Sequence, residues 1–264
     1  MVEKQLKRIY LGLLYLFLYA PIVVLIVFSF NETKSMGHWT GFSLKWYQAL
    51  FSDRTIMKAL YYTLLVAVVS SLASTVLGTA AAYGIYRMAP LRRKVMLQIN
   101  NIPILNPDIV TGIALMSLFI FLKLQLGFLT MLLAHITFNT PFVILSVLPK
   151  LRQLPKDIVE AAMDLGATGS KAFFKVILPE IMPGVITGAL IAFTMSVDDF
   201  VISFFTTGSG VSNLSITIYS MAKRGINPKI NALSALMFLA VLILLLIVNK
   251  RQSIIHERSA VSNE

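Results

Sequence analysis

Apolar positions in this chain fall into six long blocks: Tyr10–Phe30, Ala59–Tyr86, Ile102–Leu122, Phe128–Leu148, Pro183–Phe205 and Asn231–Asn249. Each is long enough to cross about 30 Å of hydrocarbon as a helix rising about 1.5 Å per residue. The pattern predicts an all-α, polytopic chain surrounded by membrane lipid. The first block follows "MVEKQLKR", which looks like the start of a signal peptide. The block is too long for such a peptide's apolar core and no small-x-small cleavage site follows, so it is expected to stay as a first span.

Six spans put both ends on one side. With the N-terminus inside, the segments 1–9, 87–100, 149–182 and 250–264 are cytoplasmic, and they hold 15 of the 23 Lys and Arg residues. That bias favours N-in, C-in. Its clearest element is "RMAPLRRK" at 87–94. The expected organisation is a cytoplasmic N-terminus (1–9), a six-span domain (10–249) with a long inner loop (149–182), and a disordered cytoplasmic tail (250–264).

Composition agrees. The chain is 57% hydrophobic and 13% charged, about half the charge fraction of a soluble domain. It has no cysteine, so disulfide and thiolate-metal chemistry are excluded, and His38, His135 and His256 are too far apart to form a ligand cluster. The formal net charge of +11 comes from basic residues flanking apolar blocks. No basic patch with interleaved aromatics points to nucleic acid. The outer segment 31–58 carries His38, Trp39, Trp46 and Tyr47, read as interfacial anchors or as contacts for an external partner. Segment 215–228 is expected to lie along the outer surface or dip inward.

The inner loop, "PKLRQLPKDIVEAAMDLGATGSKAFFKVILPEIM", is polar but patterned. Asp157 with Glu160 has capping-box spacing. Ile158, Ala161, Ala162 and Leu165 give helical periodicity, and Gly166 is placed to end that helix. Thr168 or Ser170 is placed to cap a second helix over Lys171–Ile177, which Pro179 and Pro183 are expected to stop. Ala161, Ala162 and Gly166 leave little bulk, so the loop either admits another surface closely or packs on its own membrane domain. "GATGSK" at 166–171 imitates a phosphate-binding loop, but its spacing is short, Ser170 precedes Lys171 and no strand leads in. The chain has no route to ATP there.

Three acids lie within the blocks: Asp108, Asp198 and Asp199. A carboxylate at mid-membrane costs about 2.5–3.5 kcal/mol on insertion scales. The span interiors offer no Lys or Arg as partner, so a cationic substrate is one candidate for the missing charge. The acids are alternatively solvated near the outer interface, or bonded to Ser and Thr of neighbouring spans. Asp108 follows Pro107 in "NIPILNPDIVTG". Asn106 as N-cap, Pro107 at N1 and Asp108 in the first turn read as a fresh helix start, where an acid complements the helix dipole. His135, the other polar residue within the spans, is a candidate partner for an acid and is read in preference as a satisfied packing residue.

"EAAMDLGATGSKAFFKVILPEIMPGV" is similar to the EAA signature of ABC-importer permeases: Glu160, Ala161, Ala162, Gly166, Ile177, Leu178 and Pro179 stand at the matching positions. "FSFNET" (28–33), "FSLKWYQALF" (42–51), "NPDIV" (106–110), "HITFNTPFV" (135–143) and "SVDDFVISFFTTG" (196–208) resemble the polyamine branch of that family. The resemblance runs over nearly the whole chain. It implies a type I (MetI-like) permease fold in the bacterial inner membrane, with no enzyme activity and no cofactor of its own. It also implies a related second permease subunit, two copies of an ATPase that hold ATP and Mg, and a periplasmic polyamine-binding protein. It assigns Glu160, Ala161, Ala162, Asp164, Gly166, Leu178 and Pro179 to coupling with the ATPase, and Asp108, Asp198 and Asp199 to the path of spermidine or putrescine. Asp198 is the acid favoured for the path. Ammonium groups need carboxylates, and methylenes need apolar or aromatic walls. The competing expectations are a sister permease for another cationic solute or ferric iron, and a self-sufficient channel or carrier.

Overall fold

Proline and small residues decide where the helices of this chain break and how closely they pack. The computed structural model describes residues 2–34, 37–155, 157–225 and 228–243. Among them lie helices α1 (Val2–Phe28), α2 (Lys45–Phe51), α3 (Arg54–Arg87), α4 (Pro90–Leu105), α5 (Asp108–Phe121), α6 (Phe128–Gln153), α7 (Ile158–Asp164), α8 (Gly169–Ala172), α9 (Leu178–Asp198), α10 (Val201–Thr206), α11 (Leu214–Lys223) and α12 (Pro228–Ile243). Helices α1, α3 and α6 and the run Gly169–Asp198 are each long and apolar enough to cross a membrane. α4 and α5 qualify together but are bent by 104°. α12 is a shorter apolar helix. The end of the sixth expected block, 244–249, and the tail 250–264 lie outside the described residues.

The third block is therefore not one straight helix. A residue before proline is pushed out of the helical region, and Asn106 is extended at φ −77°, ψ 144°. Pro107, with no N–H to give, takes the N-cap place expected of Asn106, and its carbonyl accepts from Val110 and Thr111. Asn106 closes α4 instead.

The fifth block also differs from expectation. Pro179 and Pro183 do not stop a short helix. α8 runs through a π-helical segment, Phe173–Ile177, directly into α9. The wide turn lets the Leu178 N–H reach back five residues to the Phe173 carbonyl, which opens the ladder just before Pro179. At its other end α9 stops at Asp198, inside the block expected to run to Phe205.

In the inner loop, Gly166 ends α7 at φ +83°. Its N–H donates to the Met163 carbonyl, and the Ala167 N–H to that of Ala162, a Schellman closure. Thr168 caps α8 by accepting from the Lys171 N–H. Asp157 does not cap through its side chain: it sits at φ −93°, ψ 1°, with no such bond. The turn led by Pro155, whose carbonyl accepts from the Ile158 N–H, already curls the backbone there. The expected capping box is therefore absent.

By internal contacts the chain divides into residues 59–216 and a second unit, 1–58 with 217–264. In the first, α9 buries a row of small residues four apart, Gly184, Gly188, Ala192 and Ser196. A Cβ on Gly184 would lie 2.9 Å from the Ser146 carbonyl oxygen, and one on Gly188 3.2 Å from the Val143 Cα. This is close small-residue packing of α9 on α6. α3 docks on α6 likewise: a Gly78 Cβ would come 2.7 Å from Val143, and Ser74 Oγ donates to the Ile136 carbonyl. Ala82, Ile85, Val147, Leu148, Leu151, Ile177 and Ile181 fill the core below.

In the other unit, the segment after α1 is tied by its own bonds. Trp46 Nε1 donates to the Asn31 carbonyl at 2.7 Å, Asn31 Oδ1 accepts from the Thr40 N–H and hydroxyl, and Ser29 shares a hydrogen bond with Tyr47. Trp46 is buried, so it acts as a loop core and not as an interfacial anchor; Trp39 is half-exposed. Lys229 Nζ meets Asp53 Oδ2 at 3.1 Å. Burial pushes the Asp53 carboxyl up, but the Lys229 bond, the Ile56 and Thr55 N–H groups and the Lys229 charge outweigh it and hold the carboxyl below the usual carboxylate range.

Two outcomes are expected. Gly184→Val lowers thermal stability in detergent by about 1–3 kcal/mol, whereas Gly84→Val, where a Cβ meets nothing within 4 Å, is near neutral by the same thermal scan. A carboxyl depressed on folding adds stability above its unfolded pKa and loses it as pH falls through the folded value. Asp53→Asn therefore costs at most about 1 kcal/mol at pH 7, and thermal scans of the two proteins converge as pH falls from about 4 through the lowered folded value.

Candidate functional site

Two adjacent acids end α9, and the backbone treats them differently. Asp199 is extended at φ −61°, ψ 125°, which turns its side chain along the start of α10. Its Oδ1 accepts from the Ile202 N–H at 3.1 Å, and its Oδ2 from the Ser203 N–H and hydroxyl, both at 2.7 Å. The carboxylate thus caps the free N–H groups of a short helix that starts inside an apolar block.

Behind it lies a buried polar chain. His135, on α6, has Nε2 2.8 Å from Ser203 Oγ and 3.4 Å from Asp199 Oδ2, and Nδ1 2.6 Å from Ser196 Oγ. Ser196 lies 3.1 Å from Ser70 Oγ of α3. Asn213 Nδ2 donates to the Asp199 carbonyl and to Ser203 Oγ, and its Oδ1 accepts from the Ile216 N–H. Donor accounting gives the order. Ser203 spends its proton on Asp199, so it accepts from His135 Nε2. A neutral ring then leaves Nδ1 to accept from Ser196, which accepts from Ser70. Every member is satisfied, and α3, α6, α9, α10 and the 211–216 segment are tied at one level.

Asp198 has no part in this chain. It is exposed, and its backbone carbonyl accepts from Ser215 Oγ at 3.3 Å. Asp108 is the first residue of α5 and is also exposed. One turn on, Gly112 packs against α10: a Cβ there would come 3.0 Å from the Phe205 ring and 3.5 Å from the Val201 carbonyl oxygen. The fold thus brings the start of α5 against the residues that follow the acid pair. Neither Asp108 nor Asp198 meets a basic side chain among the described residues. Phe200 and Phe204, with rings 5.4 Å apart, follow directly on the acids.

The expected coupling residues divide. Glu160, Ala161, Asp164 and Gly166 are exposed and Ala162 is half-buried. α7 has no buried residue, and its neighbour Leu165 is 90% exposed. Ile177 is buried in the core, Leu178 packs against it and Pro179 is exposed. The loop therefore has a rooted end and an open face.

Sequence reading raised His135 as a partner for an acid but favoured a packing role, and it passed over Ser196, Ser203 and Asn213. One signal was available: α6 places two polar residues, His135 and Asn139, one turn apart on the same face, and both are buried. Asn139 is bonded to nothing among the described residues.

Comparison with known proteins places the whole. Residues 74–259 match the family described as "Binding-protein-dependent transport system inner membrane component". The chain is 40% identical over 247 residues to the putrescine transport system permease protein PotI of Escherichia coli (strain K12), covering 91% of this chain and 88% of that one. It is 37% identical over 246 residues to the spermidine/putrescine transport system permease protein PotC of the same strain, covering 93% of each. Among solved structures, a bacterial ABC transporter that imports the acidic polysaccharide alginate superposes with a TM-score of 0.77 at 14% identity, covering 94% of this chain and 96% of that one. The inward-facing MetNI methionine ABC transporter does so with 0.61 at 22% identity, covering 75% of this chain and 96% of that one. At those identities the likeness shows a shared fold, that of type I ABC-importer permeases. Fold, sequence and helix pattern agree: the chain belongs to the family of binding-protein-dependent transport system inner-membrane components, the non-enzymatic, multi-pass permease subunits of ABC importers.

Proposed function

We propose that this permease imports polyamines, spermidine or putrescine, and that Asp198 is the carboxylate the cargo meets. One observation carries the proposal. Of two adjacent acids, Asp199 is consumed by the Ile202 and Ser203 N–H groups and the Ser203 hydroxyl, while Asp198 is exposed with no basic side chain beside it among the described residues. A fixed, unneutralised carboxylate at the end of a membrane helix suits a mobile polycation. The Phe200–Phe204 pair adds an apolar wall for methylenes and a face for cation–π contact. Asp108, at the restart after Pro107, supplies a second carboxylate within the same packed region. The names of the 37–40% identical relatives point to the same cargo.

The same reading gives the 149–182 loop its work. In it the N- and C-termini are cytoplasmic, six spans form half of the pathway, and a second, related permease forms the rest. Two ATPase subunits bind and hydrolyse ATP, and a binding protein delivers cargo on the outer side. The open face of α7 docks on the ATPase through Ala161, Ala162 and Leu165, and its motion reaches α9 through the continuous run from Gly169. The rooted end at Ile177 and Leu178 makes that run a lever. The affinity of the acids stays modest, because the cargo has to leave.

Two experiments test these roles. In reconstituted complex, Asp198→Asn lowers spermidine or putrescine uptake about tenfold or more, as expected for loss of one charge-assisted bond of about 1.5–3 kcal/mol, with assembly intact. Asp199→Asn turns an amide donor toward the Ser203 N–H and lowers the yield of folded complex. Normal uptake by Asp198→Asn, or transport that excess spermidine and putrescine fail to inhibit, defeats the proposal. In the loop, Leu165→Glu leaves thermal stability unchanged and uncouples or releases the ATPase in copurification, while Gly166→Val also strains a left-handed residue by about 1–2 kcal/mol. Full coupling in Leu165→Glu reduces the loop to a packing element.

A further inference from the structure

Asn213 holds both sides of the break between α9 and α10. Its Nδ2 donates to the Asp199 backbone carbonyl at 2.9 Å and to Ser203 Oγ at 2.8 Å. Its Oδ1 accepts from the Ile216 N–H at 2.9 Å, which caps the start of α11. One side chain therefore joins the end of α9, the first turn of α10 and the start of α11. Donor accounting leaves no slack at Ser203. Its proton goes to Asp199 Oδ2, and its two lone pairs accept from His135 and Asn213.

The last carbonyls of a helix have no partner within it. At the end of α9, Asn213 takes the Asp199 carbonyl, and Ser215 Oγ takes that of Asp198 at 3.3 Å. The Asp198 carbonyl carbon is bonded to the same Cα as its carboxylate arm, so Ser215 steadies the backbone from which that arm grows. Ser215 lies in the first turn of α11, beside Leu214, whose N–H donates to Thr63 Oγ1 of α3 at 2.8 Å. The clamp is thus itself anchored to a spanning helix.

The second exposed acid is referred to the same frame. Asp108 opens α5. α5 packs on α10 at Gly112, where a Cβ would come 3.5 Å from the Val201 carbonyl oxygen. α10 therefore carries the helix of Asp108 on one side and, through Asn213, the end of α9 on the other. The angle of the break sets the separation of the Asp198 and Asp108 carboxylates, and Asn213 is bonded on both sides of it.

A polyamine carries its ammonium groups at intervals set by the methylenes between them. Two carboxylates held at one separation favour one interval, and two that drift accept several. We propose that Asn213, with Ser215, is a specificity-determining positioning residue: it holds Asp198 at a set distance from Asp108, and so selects cargo by the spacing of its ammonium groups. This rests on the reading of Asp198 as the carboxylate that the cargo meets.

The test uses the assembled transporter in proteoliposomes with its binding protein. Uptake of putrescine and of cadaverine, one methylene longer, is measured in the same preparation, each well below saturation. Their ratio cancels the amount of folded complex, and comparison with the parent cancels the binding protein's own preference. Asn213→Ser keeps a side-chain cap for α11 but is too short to bridge the break. It moves the ratio toward cadaverine about fivefold, the worth of about one hydrogen bond. Ser215→Ala moves it the same way by about twofold, because its bond is long, and Ser215→Thr, which keeps the hydroxyl, holds the parent ratio. Ser74→Ala, which removes a bond between α3 and α6 away from the clamp, also holds the parent ratio. Unchanged ratios in both Asn213→Ser and Ser215→Ala overturn the proposal. An equal shift in Ser74→Ala overturns it too, by making the effect one of general destabilisation. Asp198→Asn, run alongside, separates the failures. Lowered uptake there with unchanged ratios in the clamp variants overturns this inference alone, whereas normal uptake there removes the reading beneath it as well.

Discussion

One carboxylate holds the break in the fifth apolar block on which the rest of the site depends. Asp199 accepts three hydrogen bonds at the break between α9 and α10. Without an acceptor there, the first N–H groups of α10 would be stranded among apolar residues, where each unpaired polar group costs about 1–3 kcal/mol. The Ser203 hydroxyl that donates to it is in turn held by His135 and Asn213, and Asn213 also donates to the Asp199 backbone carbonyl. The break is thus a built feature. It ends α9 at Asp198 and leaves that side chain outside the network.

Close packing carries that feature through the bundle. The row Gly184, Gly188, Ala192 and Ser196 presses α9 against α6. Its last member is the serine that bonds His135. The contact that holds the helices together therefore also sets the height of the polar chain. At its other end α9 runs on through the π segment to α8 and the open face of α7. The run from Gly169 to Asp198 is an unbroken helical route to the acid pair, and α7 joins it across the turn at Gly166.

Much of this was legible in the sequence, and the rest was lost for identifiable reasons. The apolar blocks gave the helices because length in lipid leaves few options. The EAA residues gave the loop, and Gly166 and Thr168 behaved as their chemistry dictates. Asp157 failed as a side-chain cap because the turn at Pro155 had already curled the chain. Pro179 and Pro183 failed as stops because a π turn absorbed the first. Adjacent residues on a helix point about 100° apart, so Asp198 and Asp199 were bound to face differently. In the structure the split comes from the helix ending between them, so that one acid closes α9 and the next caps α10. The partners of His135 could not be named, because they lie 61–68 residues away.

The chain contains no cysteine, which permits a direct measurement. Asp198→Cys and Asp199→Cys are prepared singly in the assembled transporter, and the rate of reaction with a charged, membrane-impermeant thiol reagent is followed with and without spermidine. Cysteine at 198 is predicted to react and to be slowed by spermidine, while cysteine at 199 stays unreactive in complex that retains its fold. Protection at 199 with an inert 198 would contradict the assignment of Asp199 to structure and Asp198 to the path.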